Sequence, residues 1–335
     1  MIEKVINYLK KDIKINYKFY LVLIFITLLF VIKLDYYIYS PGSLIDLTSR
    51  IEVENSYKSD GSFNLTYVTV RDGNLFNLGL SLFMPSWDVE SVDDMRIEDE
   101  DTKEIDERDK IYLRETSYDA IIAAFNEANL EYTVNNINVT VTYVYKDAIT
   151  DLKAGDIIRS VNGVEITKFD DLVNEINKYK ENDKLILKVI RNKKEIECYG
   201  TLRKENDKVV IGVGLSEIKD ITTNPKVNYI FKDNESGSSR GLMCALEIYN
   251  KITEEDLTKG KKIAGTGSID ENGIVGSIDG VKYKLKGAVK NKADVFIVPS
   301  KNYEEALKIK EENNYDIEII EADNLHNVIE KLNNL

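Results

Sequence analysis

A loop of small residues in the last third of the chain is the strongest candidate for chemistry. The segment ESGSSRG, from Glu235, contains three serines and lies between a predicted strand at Val227–Phe231 and a predicted helix that begins at Leu242. The start of a helix has free backbone N–H groups, which can stabilise the negative charge of an oxyanion. The segment is therefore compatible with a nucleophilic serine, although such residues before a helix more often serve only as a cap.

A serine nucleophile needs a base, and the composition restricts which residue type can provide it. The chain has one histidine, His326, which lies in a predicted amphipathic helix near the C-terminus, where a surface position is expected. A lysine can act instead when burial or neighbouring positive charge keeps its amine neutral. The composition therefore indicates a base other than histidine.

Metal-dependent and thiol-dependent chemistry have little support in the sequence. The two cysteines, Cys198 and Cys244, are too few for a four-thiolate zinc site or a disulfide framework. Cys244 is expected in the protein core, within a helix, and it has no histidine nearby in the sequence to activate it. The acidic run at 88–109 lacks the spacing of a calcium loop, so a solvated charged face is expected there. No metal site and no cofactor are predicted.

The segments before this loop mix strands and helices. Alternating residues predict strands at Ile51–Glu54 and Ser62–Arg71, joined by a hairpin turn at Asp60-Gly61. A short amphipathic helix is predicted at Asn74–Met84, and a longer helix with an apolar stripe at Tyr112–Leu130. The predicted fold class is therefore α/β, or α+β with several domains.

The following segment has the order of a small β-rich domain. A strand at Asn138–Tyr145 precedes the run LKAGDIIRSVNGVEITKFDDL from Leu152, and a helix at Phe169–Tyr179 precedes a hairpin of strands, Lys184–Arg191 and Ile196–Leu202. This order resembles a PDZ domain of secreted bacterial proteases, which implies that a peptide adds as a strand beside the helix. A GLGF loop is absent, so binding of a terminal carboxylate is left open. A small mixed sheet without a ligand is the alternative.

The last third resembles the proteolytic domain of Lon over about 205–335. In that family the serine lies in G-P-S-A-G-L, which corresponds to GSSRGL here, and the lysine follows I-G-G-[LIV], which corresponds to IDGV. The resemblance implies that Ser239 is the nucleophile and Lys282 its general base. A strand ending in proline, Val295–Pro299, also has a counterpart in the family. The alternative for Lys282 is a solvated position in a lysine-rich helix.

Two residues beside the nucleophile depart from the family pattern. Ser238 replaces the usual proline and removes a fixed φ, while Arg240 replaces the usual alanine with a permanent charge. Arg240 could point to solvent, bind an acidic substrate or disturb the oxyanion hole, so an inactive copy of the domain is an alternative. Backbone N–H groups around Gly237–Gly241 are expected to hold the oxyanion, and Thr266 is a weaker candidate for orienting the lysine.

The N-terminus has the charge pattern of a membrane anchor. Residues 1–20 carry five lysines against two acidic residues, a balance of +3, and the uncharged run Phe19–Ile32 follows. Residues 19–39 would span the roughly 30 Å of a bilayer core as a helix. The missing small-residue cleavage site favours an uncleaved anchor over a signal peptide. The lysines before the span place the N-terminus in the cytoplasm and the catalytic domain outside.

Five regions are therefore expected along the chain. They are a cytoplasmic basic tail, a transmembrane signal anchor, an extracytoplasmic α/β region, a PDZ-like peptide-binding domain and a Lon-type proteolytic domain, at 1–18, 19–39, 40–130, 131–204 and 205–335 respectively. This order resembles that of single-pass PDZ–Lon proteins of Gram-positive bacteria. The chain has no G-x-x-x-x-G-K-[ST] segment for binding ATP.

The resemblance implies an ATP-independent, membrane-anchored serine endopeptidase with a Ser–Lys dyad, which cleaves peptides or exposed protein segments outside the cytoplasmic membrane. The alternative is a catalytically inactive, membrane-tethered PDZ scaffold that binds peptides. Expected partners are peptide or protein substrates and the lipid bilayer, and the ring assembly of Lon domains implies that homo-oligomers could form. The net charge of −13 argues against binding to nucleic acid.

Overall fold

The computed structural model of the protein describes residues 2–97, 100–232 and 235–335. Its helices are α1 (Ile2–Val31), α2 (Leu75–Ser81), α3 (Thr102–Glu127), α4 (Phe169–Ile176), α5 (Gly241–Ile252), α6 (Val281–Lys290), α7 (Ser300–Asn313) and α8 (Leu325–Asn333). Its strands are β1 (Lys33–Asp46), β2 (Ile51–Val53), β3 (Ser62–Asn74), β4 (Asp88–Ser91), β5 (Tyr132–Val144), β6 (Ile149–Thr150), β7 (Ile157–Val161), β8 (Val164–Glu165), β9 (Lys184–Arg191), β10 (Lys194–Thr201), β11 (Arg203–Glu205), β12 (Lys208–Val210), β13 (Val213–Thr223), β14 (Val227–Tyr229), β15 (Lys262–Gly265), β16 (Ser268–Ile269), β17 (Val275–Gly276), β18 (Val295–Pro299) and β19 (Glu318–Ala322).

The chain forms two compact units. The first contains the residues up to Pro41 together with Val68–Met95, and the second contains Gly42–Tyr67 together with Arg96–Leu335. In the first unit, β1 pairs antiparallel with β4.

Helix α1 is long and apolar enough over Val5–Val31 to cross a membrane, and a signal sequence has the same properties. It begins at Ile2, so most of the predicted basic tail is helical. It ends at Val31, and residues 33–39 belong to β1, so the predicted span over 19–39 is too long at its C-terminal end. The run YYIY favours a strand because aromatic and β-branched residues pack well on a pleated surface, and Ile38 is fully buried there.

One hydrophobic core joins segments from both ends of the second unit. A parallel sheet runs in the order β19-β18-β15-β3, with Ile263 opposite Phe63 on one side and Val295 on the other. Helix α5 is buried along most of its length, and α3 and α8 contribute to the same core. The structure therefore groups β2, β3 and α3 with the C-terminal segment, whereas the sequence predicts a separate region at 40–130.

The hairpin predicted at Asp60-Gly61 does not form. β2 pairs antiparallel with β14, and β3 pairs in parallel with β15. The turn residues bind the segment before β15, since Asp60 N donates to Asp256 Oδ2 (2.8 Å) and Gly61 N donates to Thr258 Oγ1 (3.0 Å). Parallel strands need a long crossover connection, so a local turn pattern cannot reveal such a partner.

Helix α3 begins at Thr102, well before the predicted start at Tyr112. Asp101 accepts a hydrogen bond from the backbone N–H of Glu104 (2.9 Å), and the Glu104 carboxylate accepts one from the N–H of Asp101 (2.9 Å). This capping box satisfies the free donors at the helix start and extends the helix into the acidic run.

The sequence predicts a solvated face for the acidic run at 88–109, but in the structure this run is only partly exposed. Glu100 and Arg108 are both buried, and Arg108 Nη1 lies 2.6 Å from Glu100 Oε2. Pairing with an opposite charge reduces the cost of burying each group. Glu98 and Asp99 belong to this run but lie outside the described residues.

A second sheet forms the β-rich segment, with the order β13-β5-β7-β9-β10-β6 and β8 beside β7. Its core contains Val139, Ile158, Leu172 and Leu187. β9 has the predicted bounds, and α4 begins where predicted. β13 lies beyond the predicted boundary at 204, yet it pairs with β5 along its whole length and forms one edge of the sheet.

The start of α5 tests how tightly the second unit is packed. A Cβ atom on Gly241 would lie 2.9 Å from Ile269 N and would also clash with Thr116 Oγ1. We expect Gly241→Ala to lower the free energy of unfolding by about 1–3 kcal/mol, measured by denaturant titration. Gly79→Ala is the control, because a Cβ there meets no atom within 4 Å. An equally stable Gly241→Ala variant would contradict the close packing.

Candidate active site

The serine loop enters helix α5 in the way that the sequence predicts. The helix begins at Gly241, whose N–H donates to Ser238 O (3.2 Å), and Ser239, two residues before Gly241, is half-buried. Gly237 has a φ of 87°, a conformation that favours glycine, and its N–H donates to Asp109 O on α3 (3.1 Å). Asn234, at the start of the loop, lies outside the described residues.

Thr266 links this loop to a lysine on α6. The Thr266 hydroxyl donates to Ser239 O (3.0 Å) and accepts a hydrogen bond from Lys284 Nζ (3.1 Å). Gly267 N also donates to Ser239 O (2.9 Å), and Leu242 N donates to Gly267 O (3.0 Å). The segment Gly265–Gly267 therefore holds both the backbone of Ser239 and the amine of Lys284.

The backbone of Thr266 is itself anchored in the parallel sheet. Thr266 is fully buried, directly follows β15, and donates its N–H to Ile297 O on β18 (3.0 Å). Gly265 before it must be small, since a Cβ there would lie 2.8 Å from Ile297 O. The sheet thus determines where the threonine hydroxyl lies.

Lys284 has the properties of a general base. Its side chain is only 5% exposed, and burial lowers its pKa to about 8, although the carboxylate of Asp279 acts in the opposite direction. Burial favours the neutral amine because an ammonium group loses its hydration there. A lysine with a pKa near neutrality can accept a proton from a serine hydroxyl.

The structure places Lys282 differently from Lys284. Lys282 lies on the exposed side of α6, with Nζ 4.9 Å from the centroid of the Tyr283 ring. Two residues along a helix differ by about 200° in direction, so the two lysines cannot share one face. The structure brings Lys284, rather than the predicted Lys282, to Thr266 and the serine loop.

A signal for this choice exists in the sequence. Val281, Leu285 and Ala288 form the apolar stripe of α6 and are buried in one cluster. Lys284 lies on this stripe at helical spacing, while Lys282 lies off it. The lysine that interrupts the apolar stripe is the one that the fold buries.

Arg240 is buried rather than directed to solvent. It is 4% exposed, its Nη1 lies 3.2 Å from Glu235 Oε2, and its guanidinium carbon lies 4.4 Å above the Phe231 ring. The neighbouring Ser238 is half-buried, and its carbonyl accepts a hydrogen bond from Thr116 Oγ1 (3.3 Å). Both unusual residues therefore form part of the packing around the loop.

The structure confirms the expected positions of the histidine and of Cys244. His326 is exposed and lies 2.7 Å from a carboxylate oxygen of Glu127, a hydrogen bond that raises its pKa. Cys244 is fully buried, which raises the pKa of its thiol to about 12 and keeps it unreactive. Within the described ranges, no cluster of histidine, cysteine and acidic residues could hold a metal ion.

Comparisons with known protein families identify two domains in the chain. Residues 228–334 match the family described as the Lon protease (S16) C-terminal proteolytic domain, and residues 116–199 match the PDZ domain family. The chain therefore contains a PDZ domain and a Lon-type proteolytic domain, which confirms these two predicted domains and the mixed α/β fold class.

Individual relatives match parts of the chain. A Lon protease from Campylobacter jejuni is 33% identical over 136 residues, which are 37% of this chain and 17% of that protein. The PDZ domain of an SdrC-like protein from Listeria monocytogenes is 21% identical, with a TM-score of 0.22, and covers 25% of this chain and 90% of its own. A protein from Geobacillus thermodenitrificans is 23% identical, also with a TM-score of 0.22, and covers 23% of this chain and 94% of its own.

The lowered pKa of Lys284 makes the stability of the fold depend on pH. Between its folded pKa of about 8 and the ordinary lysine value of 10.5, the unfolded chain binds more protons than the folded one. The free energy of unfolding should therefore gain roughly 3 kcal/mol from this group as the pH rises through this range. We expect denaturant titrations to show this gain in the wild type relative to Lys284→Met.

Lys282→Met is the matched control, because that side chain is exposed. This variant keeps the buried Lys284 and should therefore still gain stability as the pH rises through this range. A flat difference between the wild type and Lys284→Met would show that Lys284 is not desolvated.

Proposed function

We propose that the protein is an ATP-independent, membrane-anchored serine endopeptidase whose dyad is Ser239 and Lys284. The observation that carries this proposal is the buried amine of Lys284, which is held by Thr266 beside the loop of Ser239. This assignment keeps the predicted nucleophile and replaces Lys282, the predicted base. The family match identifies a Lon-type domain, and the endopeptidase activity of the whole chain is our proposal.

The reaction that we propose follows from these two groups. The neutral amine of Lys284 accepts the proton of the Ser239 hydroxyl while its oxygen attacks the carbonyl carbon of a peptide bond. The same lysine, now protonated, donates a proton to the departing amine and leaves an acyl-enzyme. Water attacks the ester with Lys284 again as the base, which restores both residues.

Backbone N–H groups at the start of α5 are proposed to hold the oxyanion. Gly237 and Gly241 already donate to carbonyl groups of the protein, so we assign this role to the N–H groups of Ser239 and Arg240. They lie at the N-terminus of a helix, where the helix dipole favours negative charge.

The burial of Lys284 also helps to distinguish the two predicted functions, an active peptidase and an inactive scaffold. A purely structural lysine would be expected to pair with a carboxylate when it is buried, because an isolated ammonium group is costly in the interior. Lys284 instead donates to a neutral hydroxyl and has a pKa near the working range of a base. This favours a peptidase over an inactive scaffold.

A groove in the PDZ domain is the proposed site for a substrate segment. A cavity of about 690 Å³ lies between α4 and the start of β13, and its apolar wall includes Leu172, Val173, Ile176 and Leu215. β13 is an edge strand, so a peptide could add to it as a further strand. The two residues before β13, Ile211 and Gly212, follow the hairpin of β11 and β12 and lie outside the segment in which the sequence suggests a PDZ domain.

The proposed location is the outer side of the cytoplasmic membrane, with α1 as the anchor and its lysines on the cytoplasmic side. Support comes from the length of α1 and from the basic residues around its first half. Peptide or protein substrates are the proposed partners, and homo-oligomers through the Lon-type domain stay a prediction. The absence of nucleic acid among the partners also stays a prediction.

The dyad predicts a specific pattern of activity in the full-length chain in detergent. Ser239→Ala and Lys284→Ala should each lower peptide turnover by about 10³-fold or more, and the double variant should be no worse, since the two groups act as a unit. Lys284→Arg should also fail, because a guanidinium group stays protonated. In the wild type, kcat should rise with pH through about 8, the pKa of Lys284.

Lys282→Ala and His326→Ala are the controls for this series and should retain activity. Full activity in Lys284→Ala would eliminate the proposed base. Loss of activity in Lys282→Ala alone would support the assignment predicted from the sequence.

The groove predicts a difference between long and short substrates. Val173 lines the cavity and is 37% exposed, so Val173→Glu would place a charge on the apolar wall. We expect the KM of a long substrate to rise about tenfold, equivalent to 1.4 kcal/mol, with little change for a short peptide. Val164→Glu, on β8 outside the cavity wall, is the control. Equal losses on both substrates would contradict a role in substrate binding.

A further inference from the structure

We propose that Arg240 is a positioning residue, which holds the serine loop closed through an ion pair with Glu235. Glu235 and Arg240 are on opposite sides of Ser239 in the sequence. We call Arg240, Glu235 and Arg50 the loop latch. This inference rests on the proposed peptidase function, but its structural part can be tested without any activity.

The contacts of Arg240 restrain both ends of the loop. Its guanidinium group lies against Phe231, before the loop, and its Nη1 contacts Glu235, inside the loop. Its backbone carbonyl accepts a hydrogen bond from Cys244 N (3.0 Å) in the first turn of α5. The side chain of Arg240 therefore connects residues before and within the loop, and its backbone joins the first turn of α5.

Glu235 has a second partner, which extends the latch to the next strand. Arg50 Nη2 lies 3.1 Å from Glu235 Oε1, while Arg50 Nη1 donates to Ile230 O (3.1 Å). The backbone between β2 and β14 is paired at the same place, since Ile230 N donates to Arg50 O (2.8 Å). Two guanidinium groups therefore bind the Glu235 carboxylate. Through Arg50 they connect the loop to β2 and β14, which pair with each other.

Burial makes this arrangement sensitive to the loss of either partner. Arg240 and Glu235 have side chains only 5% and 10% exposed. Removing Glu235 would leave both guanidinium groups without their carboxylate, and removing Arg240 would leave Glu235 paired with Arg50 alone. In either case the loop would have to rearrange so that water can reach the desolvated charge. Arg240 Nε has no hydrogen-bond partner among the described residues, so Glu235 and the Phe231 ring are the contacts that compensate its charge there.

The loop needs such a restraint because its own backbone supplies little. Ser238 does not fix φ as a proline would, and Gly237 is the least restricted residue type. The peptide between Ser239 and Arg240 carries one of the N–H groups that we assign to the oxyanion. Thr266 and Gly267 hold the carbonyl of this same peptide, and the side chain of Arg240 restrains the residue that follows it, so the N–H group is restrained from both sides.

The first test measures amide hydrogen exchange of residues 235–241 in the full-length chain in detergent. Arg240→Ala and Glu235→Ala should each exchange about tenfold faster there than the wild type, as expected for a locally opened segment. The double variant should exchange no faster than Glu235→Ala, because that single variant already removes both ion pairs of the carboxylate. Arg240→Lys, which keeps the charge, should show an intermediate rate and serves if Arg240→Ala does not fold.

The second test measures peptide turnover as a function of pH in the same variants. A positioning role predicts that kcat falls about tenfold while KM and the pH midpoint of activity stay unchanged. If Arg240 acted instead through its charge on Lys284, its removal would raise the pKa of that lysine and move the midpoint to higher pH. A moved midpoint would therefore overturn the proposal.

Lys251→Met is the matched control, because Lys251 pairs with the buried Glu247 near the other end of α5 (3.1 Å). It should destabilise the helix without faster exchange at 235–241. Unchanged exchange in Arg240→Ala, or a more active Arg240→Ala variant, would overturn the latch. A wild type without peptidase activity would contradict the proposed function alone, because the exchange rates would still decide whether the latch exists.

Discussion

The placement of one lysine amine in the interior is the constraint on which the rest of the site depends. An ammonium group at the position of Lys284 is costly, and its hydrogen bond to Thr266 is the compensation that the described contacts provide. Thr266 can accept the hydrogen bond of Lys284 because its backbone directly follows β15 and is hydrogen-bonded to β18. The parallel sheet, helix α6 and the serine loop therefore have to be assembled together before this amine has a partner.

Much of this arrangement can be predicted from local patterns, and the limits are physical. β18 is a short apolar run and β9 alternates between exposed and buried residues, and turn residues flank both strands, so their bounds follow from the sequence. The serine loop is also local, since it depends on small residues before a helix. The start of α3 could have been found from Asp101 and Glu104, whose spacing is that of a capping box.

The features that sequence reasoning misses depend on distant partners or on a choice between equal residue types. The partner of β3 is β15, and nothing in the local pattern at Asp60-Gly61 indicates that the strands diverge. Lys282 and Lys284 have the same chemistry, and only their faces on α6 distinguish them. A motif that is matched letter by letter ignores the face of a helix, whereas the apolar stripe around Lys284 records it.

The pairing of β3 with β15 also determines the order in which the chain can fold. The strands of the PDZ domain all lie between Tyr132 and Thr223, so this sheet can form once that segment has left the ribosome. β3 emerges earlier but has to wait for Ile263, because its parallel neighbour does not yet exist. During synthesis the PDZ domain can therefore fold inside an unfinished Lon-type domain, and the proposed dyad can be completed only after β15, α6 and β18 have been added.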